Sequence, residues 1–144
     1  MAFKKWNECT DEQKVERWEN VLRVLRSMTP HQRKKHFNMS TWAEKNDCGT
    51  IGCAAGLCSF DPWFRRRGFK GEFVERVPDD GPICSFRFAN RMFPEDFFGT
   101  VGHERVFVNE EFTDMEGEYA GPAVHRKVLA AVRDYIKDLK SLGD

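Results

Sequence analysis

No stretch of this 144-residue chain approaches the roughly 20 consecutive apolar residues that a membrane-spanning helix requires, because charges interrupt every hydrophobic segment within a few positions. A membrane partner is therefore not expected. Net charge is also lacking: 23 lysines and arginines balance 23 aspartates and glutamates, so no global field draws the chain to nucleic acid or to an anionic surface. The opening Met-Ala-Phe-Lys-Lys-Trp has no apolar run of the kind a secretory signal needs. Five cysteines, an odd number, sit among apolar or glycine-rich neighbours, which argues against a disulfide framework. Together these absences predict a cytoplasmic protein with reduced thiols. No internal repeat, low-complexity tract or flexible linker divides the chain, and a single domain over residues 1–144 is expected. What it has in quantity is aromatic surface: 13 phenylalanines and 4 tryptophans, large side chains whose burial offsets chain entropy in a small core.

The helical signals are local and clear. Thr10 followed by Gln13 is the signature of a capping box, and Val15, Trp18, Leu22 and Leu25 then recur at helical spacing, widened by Val21 and Met28. Thr29 and Pro30 read as a second N-cap, opening a short basic turn through Lys35 with His36 near its end. Gly121 and Pro122 open a last helix carrying Val124, Val128, Val132, Tyr135 and Leu139 down one face and ending before Gly143. These helices need an apolar element to lie against. The uncharged run Ile51–Phe60, rich in small residues, is predicted to be that buried central helix. Asp61 and Pro62 start a further short helix, Trp63 to Arg67, closed by Gly68. Phe73–Val77 and Ile83–Phe88, separated by residues 78–82, pattern as a small hairpin. Ser85–Phe93 patterns also as a helix, through Phe86, Ala89 and Phe93, and the helix is the preferred reading.

The least ordinary segment is Asp47-Cys48-Gly49-Thr50-Ile51-Gly52-Cys53-Ala54-Ala55-Gly56, shortly after Phe37-Asn38-Met39-Ser40-Thr41-Trp42. This pairing resembles a family of small uncharacterised proteins of bacteria and their phages, which share a Phe-x-Met-x-x-Trp-like stretch followed by Cys-Gly-Thr-x-x-Cys-x-x-Gly. Here the matching residues are Phe37, Met39 and Trp42, then Cys48, Gly49, Thr50, Cys53 and Gly56, with a looser likeness at Phe97-Phe98-Gly99 and Val106-Phe107. The resemblance implies no particular activity.

Several residues invite a chemical reading. Cys48, placed just before a helix starting near Thr50, would feel the positive end of the helix dipole, with His36 or His31 as a base; yet cysteines beside alanine and glycine more often act as inert small hydrophobes. Zinc at Cys48, Cys53, Cys58 and His36 is disfavoured, since residues five apart on a helix point about 140° apart. Gly49, Thr50 and Gly52 at a helix start would form an anion cradle, although a tight loop into a buried helix needs glycine in any case. Trp63, Arg65, Arg66 and Arg67 interleave aromatic and cationic chemistry suited to phosphates, against the plainer reading of a solvated basic face. Charge is shared unevenly. Arg23, Arg26, Arg33, Lys34, Lys35 and Lys45 face only Glu44, whereas Glu95, Asp96, Glu104, Glu110, Glu111, Asp114, Glu116 and Glu118 face only Arg105.

The sequence thus predicts a mainly α, compact single domain with a buried small-residue central helix and room for one small β-hairpin. No cofactor or metal is predicted. The favoured function is a non-enzymatic binding or accessory protein of phage or bacterial type that engages a host protein, for instance in counter-defence. The alternatives are a binder of a phosphate-bearing small molecule such as a nucleotide, using Gly49, Thr50, Trp63, Arg65, Arg66 and Arg67, and a thiol-dependent enzyme using Cys48 with His36.

Overall fold

Capping chemistry sets the first helices where the sequence indicates. In the computed structural model, which describes residues 3–46, 49–76 and 83–142, Thr10 Oγ1 accepts the Gln13 amide at 3.1 Å while Gln13 Oε1 accepts the Thr10 amide at 2.9 Å. Helix α1 (Asp11–Ser27) follows. Thr29 and Gln32 repeat the exchange at 3.2 and 2.8 Å, and Pro30 opens α2 (Pro30–Lys35). Then come a first hairpin, β1 (Ala43–Asn46) and β2 (Gly49–Gly52), and a short helix α3 (Ala54–Cys58). Asp61 caps α4 (Pro62–Arg66) by accepting the Trp63 amide at 3.0 Å. A second hairpin, β3 (Gly71–Arg76) and β4 (Ile83–Phe88), is followed by α5 (Pro94–Phe98), α6 (Thr100–Gly102) and the long α7 (Pro122–Leu142). Directly after α6, His103–Phe107 form one π-helical turn. The chain is mainly α with two small antiparallel hairpins, and its buried apolar residues form a single cluster.

Two expectations need correction. The small-residue helix exists and is buried, but it begins at Ala54, not in the run from Ile51. Residues 49–52 are extended instead, because their backbone pairs with β1 on one side and the Gly52 amide donates to the His36 carbonyl at 2.9 Å on the other. Ser85–Phe93 is likewise not a helix. Strand β4 continues to Phe88, and Asn90 and Arg91 then take positive φ values of 62° and 54°. Pairing with β3 sets Phe86 opposite Phe73, whose ring stacks on Phe60 at 5.4 Å, a contact that a lone helix would forfeit. Val77, the end of the first expected strand, and residues 78–82 lie outside the described residues.

The Phe37–Trp42 segment ties these parts together. The Asn38 amide donates to Gly52 O at 3.0 Å, the Met39 amide to Tyr119 O at 2.7 Å, and the Gly121 amide to Phe37 O at 3.2 Å, so a short central strip links the first hairpin to the entry of α7. Farther along, the Cys53 amide donates to Thr41 O at 2.9 Å. The Trp42 carbonyl then lies against the start of α3 so closely that a Cβ on Gly56 would fall 1.5 Å from its oxygen, and one on Gly52 2.5 Å. Only glycine admits that approach.

Above this knot the core is aromatic. Trp18 is fully buried, stacked on Phe107 at 5.2 Å and edge-on to Tyr135 at 4.9 Å, which joins α1, the π turn and α7. Phe64, Phe69, Phe97 and Phe98 fill the space between α4 and α5, in tilted or offset contacts of the kind that add to simple burial. Besides Ser59, the larger polar side chains of Arg17 and His125 are built into this core. Arg17 is 4% exposed, donating to Phe97 O at 2.7 Å and Lys4 O at 2.8 Å with its guanidinium 3.7 Å from the Phe97 ring centre. His125 is buried on α7, its Nε2–H donating at 2.8 Å to Leu25 O near the end of α1, a carbonyl that also accepts the Met28 amide at 3.4 Å. Its Nδ1 has no partner among the described residues. Both lie on the apolar stripes, Arg17 four residues before Val21 and His125 three before Val128, and that spacing is the signal by which the sequence could have disclosed them.

Gly56→Ala is expected to cost about 4 kcal/mol or to prevent folding, whereas Gly117→Ala, at φ 81° with open space around its Cβ, should cost only about 1 kcal/mol in urea denaturation. Equal effects would refute the close approach. Desolvation, aided by Arg33 and Arg126, lowers the pKa of His125 from the ordinary histidine value. The unfolded chain therefore takes up that proton first as pH falls: the stability due to neutral His125 is complete above about pH 6.5 and drains away as pH drops towards the lowered native value. Compared with His125→Gln, which keeps a donor that does not titrate, the wild type should lose more of its urea midpoint between neutral and mildly acidic pH. Parallel losses would show that His125 is not the group responsible.

Candidate functional site

The motif residues converge on a hollow as well as on the knot beneath it. Met39, Ser40, Thr41 and Trp42 form one wall, with Cys53 at its base. Phe107, the last residue of the π turn, and Val108, Asn109 and Glu110 just after it form the other, and Tyr119 closes the rim. The cavity measures about 480 Å³. Trp42, Val108 and Tyr119 are 36%, 48% and 37% exposed, so three large apolar side chains meet solvent around one opening. Their backbone is braced. Met39 and Tyr119 share the 2.7 Å hydrogen bond of the central strip, and the Trp42 ring lies edge-on to Phe88 at 5.5 Å and stacked on His103 at 5.9 Å. His103 approaches Glu95 at 3.5 Å through Nε2, while burial, the dominant influence, lowers its pKa.

The thiol at the base is buried and serves as a helix cap. Cys53 caps α3, its sulfur accepting the Gly56 amide at 3.4 Å, and burial pushes its pKa up to about 11. Cys58 is raised well above the ordinary thiol range, again chiefly by burial. A thiol held protonated at neutral pH lacks the reactive form. Cys48 lies outside the described residues.

The other sequence-predicted site residues are scattered. Gly49 and Thr50 belong to β2, so the helix start on which the anion cradle and the Cys48 dipole argument depended is not there. Thr50 instead lines a separate hollow of about 770 Å³ with His31 and His36, whose rings are 5.8 Å apart. His36 caps the end of α2, and its Nδ1 donates to Thr50 O at 3.0 Å. Among the basic residues, Arg65 donates to Gly71 O at 2.9 Å and to Ser59 O at 3.4 Å. Arg67 stacks on Trp63 at 3.7 Å, donates to the Trp63 carbonyl at 3.0 Å and reaches Glu16 at 3.6 Å. Two of the three arginines thus serve the fold, and Arg66 alone points away exposed. Among the described residues no three His, Cys, Asp or Glu side chains gather into a metal-holding group, and no helix is long and apolar enough to cross a membrane. Tyr119, Val108 and Asn109 escaped the sequence reading because they lie on irregular backbone where no periodicity exists.

No protein-family model, curated protein or solved structure matches the chain.

Native protein treated with iodoacetamide at neutral pH should leave Cys53 and Cys58 unmodified over a time in which the partly exposed Cys9 reacts, and all three should react in urea. Peptide mapping that found Cys53 alkylated in the native protein as fast as Cys9 would overturn its assignment as an inert cap.

Proposed function

We propose that this chain is a non-enzymatic binding protein of phage or bacterial accessory type, which works in the host cytoplasm by engaging a host protein at the hollow beside Trp42. The observation that carries this reading is the convergence of Trp42, Val108 and Tyr119 on one opening over a hydrogen-bonded, glycine-locked backbone. Exposed aromatics set in a cleft are the kind of group that dominates protein recognition, since they bury a large area at small entropic cost. A braced backbone supports the same reading, because a surface ordered before binding loses little freedom on binding. The chemistry of the described thiols argues in the same direction: Cys53 and Cys58 are kept protonated by burial and are suited to packing. The likeness of Phe37, Met39 and Trp42, with Cys48, Gly49, Thr50, Cys53 and Gly56, to small phage and bacterial proteins supports the accessory type, of which counter-defence is one form, and implies no particular activity.

Val108→Asp tests it. The side chain is half exposed at the end of the π turn, so the change is expected to leave the melting temperature within a few degrees of wild type. Tagged wild-type protein should retain a discrete partner from bacterial lysate after crosslinking, and the variant should lose it. Identical retention by the two proteins, or no specific retention by wild type, would sink the proposal.

A further inference from the structure

Resting on that binding reading, we infer that the occupant of the hollow is a cationic protein segment, in which an apolar anchor side chain is flanked by lysines or arginines. The hollow does not end at its rim. Val108, Asn109 and Glu110 line both it and an adjoining depression of about 550 Å³, whose outer border carries Glu104 and Glu111. An apolar cleft therefore opens directly onto an acidic shelf.

Among the described residues, the charges on that shelf have no ion-pair partner. Glu104, Glu110 and Glu111 are exposed, and none takes part in an ion pair among the described residues. Among the described residues, Arg105 is the cation that lines the depression, and its guanidinium is turned to Asp138 at 2.8 Å and to the Tyr135 ring at 4.9 Å. Exposed Glu116 and Glu118 extend the acidic side along the loop that leads to Tyr119. Lys127, which reaches that loop, donates to the Thr113 carbonyl. Neighbouring carboxylates without counter-charges create a local negative potential on a protein whose net charge is zero. Nucleic acid and phosphate-bearing ligands are repelled there, and a basic segment is drawn in. The apolar wall suits the same occupant, since aromatic faces accept both an aliphatic anchor and the stems and heads of lysine and arginine.

The test uses fluorescence anisotropy with three labelled hexapeptides: Arg-Lys-Leu-Phe-Lys-Arg, the same anchor flanked by Glu and Asp, and the same basic flanks around Ser-Ser. The first is expected to bind about tenfold tighter than either of the others and to weaken about tenfold between low and moderate salt. Tyr119→Ser should weaken it by a similar factor through the loss of an apolar wall. The double variant Glu110→Gln, Glu111→Gln should weaken it and flatten its salt dependence. Equal binding of basic and acidic peptides, or a double variant that behaves as wild type, would overturn the inference. So would concentration-dependent dimerisation abolished by Val108→Asp, which would make a second copy of this chain the occupant. If Val108→Asp abolishes capture from lysate while the peptides bind alike, the hollow is a docking site and only its cationic preference is wrong. If capture is indifferent to Val108→Asp, the binding reading itself fails.

Discussion

The contact on which the rest of the structure depends is the approach of the Trp42 carbonyl to Gly52 and Gly56. It fixes the distance between an extended segment and the first turn of α3 below what any side chain would allow. Once that distance is set, the surrounding hydrogen bonds have no freedom left: Cys53 donates to Thr41, Gly52 to His36 and Asn38 to Gly52. The same segment then reaches forward to Tyr119 and Gly121, which aims α7 back across α1. A motif that looks like chemistry, a cysteine and glycines at regular spacing, is in its described part the means by which two backbones meet. The fully buried thiol of Cys53 belongs to that meeting as a cap.

How much of this was readable from the sequence follows from how local each cause is. Thr10 with Gln13, Thr29 with Pro30, and Asp61 with Pro62 announce their helices because the residues concerned lie within three positions of one another. The long stripe of α7 is equally self-contained. Residues 49–52 and 85–88 misled because their conformation is decided by partners elsewhere in the chain: small residues in one case, and helically spaced phenylalanines in the other, fit a helix until β1 and β3 lay claim to their backbones. Arg17 and His125 sat on visible stripes but were masked by polar identity. Each is anchored in the core by donating to backbone carbonyls, Arg17 to two and His125 through Nε2 to one.

The candidate site was less legible than the fold. One wall, Met39 to Trp42, belongs to a segment that the sequence marks as unusual. The opposite wall, Phe107 to Glu110, and the rim at Tyr119 lie some seventy residues farther on, and only the closure of the central strip brings them together. The basic turn at Trp63–Arg67 shows the reverse error. Its composition suits an anion, yet Arg65 and Arg67 are occupied by neighbouring carbonyls and by Trp63 itself. Composition reports which interactions a segment is able to make, and the fold determines which of them are already taken.

The π turn at His103–Phe107 carries a consequence of its own. Such a turn is one residue wider than the α-helical turn it replaces, and a single residue in a helix corresponds to about 100° of rotation. That extra residue sets the angle at which the chain leaves Phe107, buried against Trp18, and presents Val108 outward above Trp42. The opening is thus one residue deep in the register of the chain. Between two otherwise similar sequences, a single insertion or deletion here would rotate Val108 relative to Phe107 and so change the opening beside Trp42.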